Sequence, residues 1–395
     1  MTAKVSADAT FRVVSSLKEI EREDWDAVAN PVDAAYNPFL SHDFLWSLEE
    51  SGSATRKTGW LAQHIVLDGD DDRPVAIMPC YLKSHSMGEY VFDHGWADAF
   101  ERAGGQYYPK LQAAVPFTPV TGRRLLVRSG TGADDRRKLL ALAGTTLARQ
   151  SGVSSVHVTF ADEEEWKLLG AAGYLQRTDQ QYHFINDGYR HFDDFLAALS
   201  SRKRKVIKRE RRDALAGLDV QRLTGGDLTE AAWDAFFAFY MDTGSRKWGR
   251  PYLNRRFFSL IGERMADRIL LMLATRDGIP IAGALNFIGS DTLYGRYWGA
   301  AEEHPFLHFE LCYYQAIEWG IDHKLKCVEA GAQGEHKVAR GYRPTTTYSA
   351  HWIADPAFRR AVADYLRTER HRVAADGETL AESLPFRATT ERGAP

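Results

Sequence analysis

Apolar positions mark out the elements of this chain. Trp233, Phe236, Phe237 and Tyr240 fall on one helix face and predict a helix over 229–243. Asn254, a good capping residue, opens a second amphipathic stretch at 254–266. Two apolar runs, 268–275 and 279–288, flank Arg276-Asp277-Gly278, and Asp-Gly between such runs signals a tight hairpin. A further turn, Gly289-Ser290-Asp291, leads into a strand at 292–299. A helix over 305–320, strands at 326–332 and 346–353 and a helix at 355–371 follow. With a short strand at 218–223 in front, the expected order is β-α-α-β-β-β-α-β-β-α.

The first half follows a similar order more loosely, without letter-level repetition. A strand at 11–16, helices at 22–29 and 41–51, and strands at 59–68 and 74–83 open it. After an aromatic excursion, 90–120, come a strand at 123–127, a helix at 134–151, a strand at 154–160, a short helix and a strand at 175–185. The excursion is too long and too apolar for a plain surface loop. It reads either as the lining of an acyl or acceptor channel or as an aromatic plug on a core.

A length of 395 residues fits two domains better than one, and 44% hydrophobic content supplies their cores. The expected division is 1–190 with the insertion 90–120, then 191–374 with the active site, then a disordered tail at 375–395. A net charge of −3 excludes a nucleic-acid-like basic field over the whole protein. Cys80, Cys312 and Cys327 suit neither a disulfide framework nor a zinc ligand set, so no metal and no bound cofactor are expected. No stretch approaches 18 apolar residues, and the first residues lack an apolar leader core; a cytoplasmic protein is expected.

Candidate chemistry concentrates between Tyr294 and Gly341. The helix over 305–320 carries His308, Glu310, Tyr313, Tyr314 and Gln315, and the strand after it ends in Gly334-Glu335-His336-Lys337 before Arg340-Gly341. Two His/Glu clusters flanking one strand–helix–strand unit predict a proton-handling site, with Lys337 and Arg340 facing an anionic ligand. Glu310 or His308 is the candidate base, and His336 or Tyr314 the candidate donor to an oxyanion or leaving group. The competing reading is a solvated helix beside an aromatic core strand. Elsewhere, 201–212 holds eight basic residues and one acid. Such a run is either a solvated helix or, because like charges at i,i+4 repel, a surface for an anionic partner. Arg202, Lys203, Arg204, Lys205 and Lys208 are its candidate contacts with CoA phosphates, an RNA backbone or the anionic face of a membrane.

Several segments carry a family resemblance: Asn37-Pro38-Phe39-Leu40, Asp93-His94-Gly95-Trp96-Ala97, Tyr107-Tyr108-Pro109-Lys110, Pro116-Phe117-Thr118-Pro119, the basic run, 295–299 and 333–341. Together with the element order they resemble the FemAB-like predicted N-acyltransferases, spread over roughly residues 35–370. The resemblance implies an α/β (α+β) fold of two tandem GCN5-related acyltransferase-like domains, as in the Fem family. It also implies an N-acyltransferase. Some members resemble bacterial ceramide synthases, which suggests a long-chain acyl-CoA co-substrate, an amine acceptor of the sphingoid-base type and peripheral contact at the inner membrane. Alternatives are a Fem-type enzyme taking aminoacyl groups from tRNA to a peptidoglycan precursor, and a non-catalytic module that binds such a precursor. Arg296-Tyr297-Trp298-Gly299-Ala300-Ala301 matches the Arg-x-x-Gly-x-Ala pyrophosphate loop of the fold, although Glu302-Glu303-His304-Pro305 intervenes before the helix. Its competing reading is a glycine that lets another element approach closely. Under the resemblance, His94, Tyr107, Tyr108, Lys110, Arg296, Trp298, Tyr314, Lys337 and Arg340 are substrate contacts.

Overall fold

The computed structural model describes residues 2–4, 9–248, 251–331 and 334–387. The fold is mixed α/β in two compact units. Unit 1 comprises Met1–Asp179, Pro251–Ala266 and Thr346–Ala374, and unit 2 comprises Gln180–Arg250, Asp267–Thr345 and Ala375–Pro395. The strands are β1 (Thr2–Lys4), β2 (Thr10–Val14), β3 (Trp60–Ala62), β4 (His64–Asp68), β5 (Pro74–Met78), β6 (Cys80–Lys83), β7 (Lys110–Ala113), β8 (Leu126–Val127) and β9 (Ser155–Ala161), then β10 (Leu175–Ile185). They continue with β11 (Asp219–Leu223), β12 (Ile269–Arg276), β13 (Ile279–Ile288), β14 (Thr292–Ala300), β15 (Cys327–Glu329) and β16 (Arg343–Ile353).

In unit 1, one sheet runs β1-β2-β4-β5-β8, and further strands run β16-β9-β7-β6-β3. The single strand expected at 74–83 divides at Pro79, which has no N–H to give a ladder, so β5 and β6 join different sheets. Leu111, Val156, Val158 and Ala350 form a core with Leu140 and Leu147 of the helix Ala133–Ser151. A single division at 190 does not describe the chain, because two later segments fold into unit 1. The helix Arg255–Met265 buries Phe257, Phe258 and Ile261 and packs on the helix His42–Glu50, where Phe257 meets Phe44 edge-on at 5.8 Å and Arg264 pairs with Asp43 at 2.7 Å. β16 pairs antiparallel with β9.

Unit 2 runs β11-β12-β13-β14-β15-β10. The expected hairpin forms at Asp277 (φ 51°) and Gly278 (φ 79°), between Arg276 and Ile279 of β12 and β13. β14 pairs with its neighbour β15 in parallel only from Thr292↔Cys327 to Tyr294↔Glu329. Beyond that point no register joins them. The helix expected over 305–320 is three pieces: α-helix Leu307–Phe309, a π turn at Glu310–Tyr314 and α-helix Gln315–Asp322.

The tail differs from expectation. The last helix continues to Glu382, and Leu380, Leu384 and Phe386 pack on the core of unit 2, enough apolar burial to order residues through 387. Residues 388–395 of the expected tail, and Gln333 of the 333–341 segment, lie outside the described residues.

Candidate functional site

Where β14 and β15 cease to pair, a cavity of about 100 Å³ opens in unit 2, lined by Asn286, Arg296, Trp298, His308, Cys312 and Tyr313 among others. An outer chamber of about 700 Å³ shares Trp298 and His308 with it and continues over Glu302, Glu303 and His304. Local sequence explains the opening. The β13–β14 register shifts at Leu285/Asn286, so Tyr297 and Gly295 are paired and Arg296 bulges. The Arg296 guanidinium meets Glu329 at 2.5 Å, bridging the two strands at their last paired position.

The π turn decides which helix side chains face this cavity. A π turn brings residues five apart into line, where an α-helix aligns those four apart. His308 accordingly lies 5.3 Å from Tyr313 between ring centroids, and Gln315 donates to Glu310 at 2.7 Å. The phenol of Tyr313 meets His336 Nε2 at 3.0 Å, and the His336 ring lies 6.4 Å from that of His308. Lys337 is buried and donates to the carbonyls of Ala330, at 2.6 Å, and Gly331, at 3.2 Å. Burial brings its ammonium down to about 8. His336 stands at the solvent side; its partial burial, with Arg340 and Lys337 adding positive charge, holds the imidazole below its ordinary range. Burial raises the Tyr313 phenol. The result is a neutral base hydrogen-bonded to a firmly protonated phenol beside a cation.

Three expected site residues belong to a different group. Glu310 is fully buried, and Arg211 clamps both its oxygens at 2.9–3.2 Å while also binding Glu318. It lines neither cavity, and both its oxygens are occupied by Arg211. Tyr314, one residue past the cavity-facing phenol, donates to Glu210. Arg340 binds both oxygens of Glu210 at 3.0 Å and covers the ring of Phe309 at 3.5 Å. Sequence reading missed Tyr313 as the cavity phenol, and Arg211, Glu210 and Glu329 as ion-pair partners. Nothing in the sequence marks the π turn that brings Tyr313 rather than Tyr314 to the cavity, and the ion-pair partners lie far away along the chain.

Gly299 has a packing role in its motif. A Cβ there would come within 2.2 Å of the Phe239 carbonyl oxygen and 2.7 Å of the Tyr240 nitrogen, so the glycine admits the helix Glu230–Trp248 onto β14. The following segment presents Glu302, Glu303 and His304 to the outer chamber.

In unit 1, His94 is exposed in the first turn of the helix His94–Arg102 and touches none of the expected contacts. Tyr107 and Lys110 are buried: Lys110 donates to Asp93 at 2.5 Å, Glu89 at 2.7 Å and Ser86 at 2.8 Å, and Tyr107 donates to Asp93 at 2.6 Å. Tyr108 is half-buried, with its hydroxyl 2.8 Å from that of Ser86. The basic run forms the helix Ser201–Ala214 in unit 2. Arg202, Lys205 and Lys208 are exposed and Lys203 and Arg204 half-buried, and among the described residues none of the five joins an ion pair. Among the described residues no helix is long and apolar enough to cross a membrane, and no group of His, Cys, Asp and Glu is placed to hold a metal ion.

The sequence profile of the FemAB-like family, described as peptidoglycan biosynthesis/recognition, matches residues 16–388. No curated protein matches the chain. Among solved structures it is similar to FemX, with a TM-score of 0.55 and 12% identity over 87% of this chain and 98% of that one. It is also similar to the C-terminal domain of a putative lysylphosphatidylglycerol synthetase from Agrobacterium fabrum, with a TM-score of 0.52 and 9% identity over 92% and 98%. A tandem GNAT protein from the clavulanic acid biosynthesis pathway matches at a TM-score of 0.45 and 13% identity over 88% and 98%. At these identities the likeness is one of fold.

Proposed function

This chain belongs to the FemAB-like family and is a transferase of the acyl or aminoacyl kind, and we propose that it moves an aminoacyl group from tRNA onto an amine of a peptidoglycan precursor, in the cleft of unit 2. The observation that carries the choice of donor is the outer chamber. A CoA pyrophosphate held after β14 would face Glu302 and Glu303, and like charges in a partly enclosed site repel. The glycine of the motif is already taken up by helix packing. Nothing in the family or the neighbours supports a sphingoid acceptor or an acyl-CoA donor, so the ceramide-synthase expectation is set aside.

The chemistry needs few groups. Neutral His336 takes the proton that the attacking amine loses as its nitrogen bonds to the ester carbonyl carbon. The Lys337 ammonium and Arg296 guanidinium supply positive potential for the oxyanion. Tyr313, hydrogen-bonded to His336, relays the proton to the ribose hydroxyl that departs as the ester C–O bond breaks. An amide and a free hydroxyl result.

The test is mass spectrometry of a free-amine peptidoglycan precursor incubated with the purified full chain and a mixed aminoacyl-tRNA pool. The expected result is addition of one aminoacyl residue, abolished by ribonuclease. Modification from acyl-CoA alone, insensitive to ribonuclease, would overturn the reading.

A further inference from the structure

Unit 1 buries a polar sheet face that the transfer chemistry does not use. Residues directly opposite one another on paired strands share a face. One row on this face is therefore Trp60, Lys83 and Lys110, and the next is Ala62, Tyr81, Gln112, His157 and His351. All eight are 8% exposed or less. The opposite face carries Leu111, Val156 and Val158 and belongs to the core of the unit. One face of the sheet is thus an ordinary core, and the other is a wall of amines, imidazoles, a phenol and an amide kept from water. Burying such groups costs free energy unless each finds a partner.

Several do not. Tyr81 Oη, Gln112 Oε1, Trp60 Nε1 and His351 Nε2 are buried without a hydrogen-bond partner. Residues 84–93, which contain no helix or strand, cover the lysine end of this face, and Trp96 lies over its two histidines. This segment presents its own carboxylates to the lysines. Asp93 and Glu89 receive Lys110, Glu89 Oε1 lies 3.7 Å from Lys83, and Lys83 donates to the Met87 carbonyl at 3.2 Å. Asp93 Oδ1 is also buried and unpartnered. On its outer side the segment exposes Met87 and Phe92, at 52% and 58%, so apolar side chains face water while carboxylates point inward. That inversion is the opposite of what a loop serving only as cover requires.

We propose that this face is a binding site for a dianionic group of the phosphate class, and that residues 84–93 close it by setting Glu89 and Asp93 on the two ammonium groups the ligand takes. Charge balance selects the class. Two lysines and two carboxylates sum to zero, and a group bearing two negative charges replaces both carboxylates without leaving a net buried charge. The unpartnered hydroxyl of Tyr81, and the Tyr108 hydroxyl released from Ser86 as the segment moves, supply donors for phosphate oxygens. The proposal stands apart from the reaction assigned to unit 2, and neither depends on the other.

The test uses the full chain with inorganic phosphate, pyrophosphate and succinate as probes, titrated by calorimetry, and amide hydrogen exchange over 84–93. Phosphate or pyrophosphate should bind and speed exchange in this segment, which is displaced. E89Q, which weakens the closing contact, should tighten pyrophosphate binding roughly tenfold, on the order of one buried ion-pair contact. K110M should abolish it; if that variant does not fold, K83Q and E89Q decide. No binding and unchanged exchange in both the wild type and E89Q would overturn the site. Succinate binding as tightly as pyrophosphate would overturn the phosphate class.

Discussion

Tyr313 and His336 share a hydrogen bond of 3.0 Å across 23 positions of chain, joining a phenol that burial keeps protonated to an imidazole that partial burial and its cationic neighbours hold below the ordinary range.

That pairing sets the first prediction. Y313F and H336A should each lower turnover by about 100-fold or more, the usual worth of a positioned acid–base group, with little effect on thermal unfolding. Turnover within a few-fold of the wild type in both variants would remove the pair from the mechanism.

The pH dependence should have two limbs. His336 must be neutral to accept a proton, so activity falls as pH drops through its depressed value, below the ordinary imidazole range. Lys337 must keep its charge, so activity falls again as pH rises through about 8. K337R should retain activity above pH 8, because a guanidinium does not lose its proton there. An alkaline limb unmoved in K337R would assign it to another group.

Glu310 and Arg211 should matter for stability instead. Removing one partner of a buried pair strands a charge, and R211M should cost about 3–5 kcal/mol in denaturant unfolding. E310Q, which keeps a neutral acceptor for Arg211, should cost less and leave the turnover of the folded fraction near that of the wild type. A large loss of turnover in stable E310Q would restore Glu310 to the chemistry.

Gly299 offers a packing test. G299A drives a methyl into the backbone of Phe239 and Tyr240 and should destabilise the fold by about 1–3 kcal/mol. Unchanged stability would show that the helix Glu230–Trp248 yields easily.

The exposed cations of the helix Ser201–Ala214 should bind the phosphates of the tRNA donor. Ile207 and Ala214 are buried and Val206 is half-buried, which leaves no broad apolar face for a lipid surface. Charge reversal at Lys205 and Lys208 should weaken tRNA binding and reduce its salt dependence. Loss of binding to anionic vesicles, with tRNA binding unchanged, would point to a membrane instead.

Much of this molecule was legible along the chain. The Asp277-Gly278 hairpin and the helix capped by Asn254 could be read because local chemistry fixes them. The cavity phenol could not: one extra residue in a helical turn leaves the apolar pattern intact yet moves Tyr313, not Tyr314, to His336. Nor could the clamp between Glu210 and Arg340, 130 positions apart, since no short-range pattern marks a partner at that distance. His94 was judged by its aromatic neighbours, but it falls on the outer side of a helix that buries Trp96 and Ala97.

Neither unit is a continuous stretch of polypeptide. Unit 1 takes Pro251–Ala266 and Thr346–Ala374 from beyond the start of unit 2, and unit 2 takes its closing segment from beyond Ala375. On the ribosome, where domains generally fold as units in order of synthesis, the first unit therefore cannot be finished before residues through Ala374 have emerged. Its sheet waits for β16, the antiparallel partner of β9. Splitting the gene between the halves would yield two incomplete pieces.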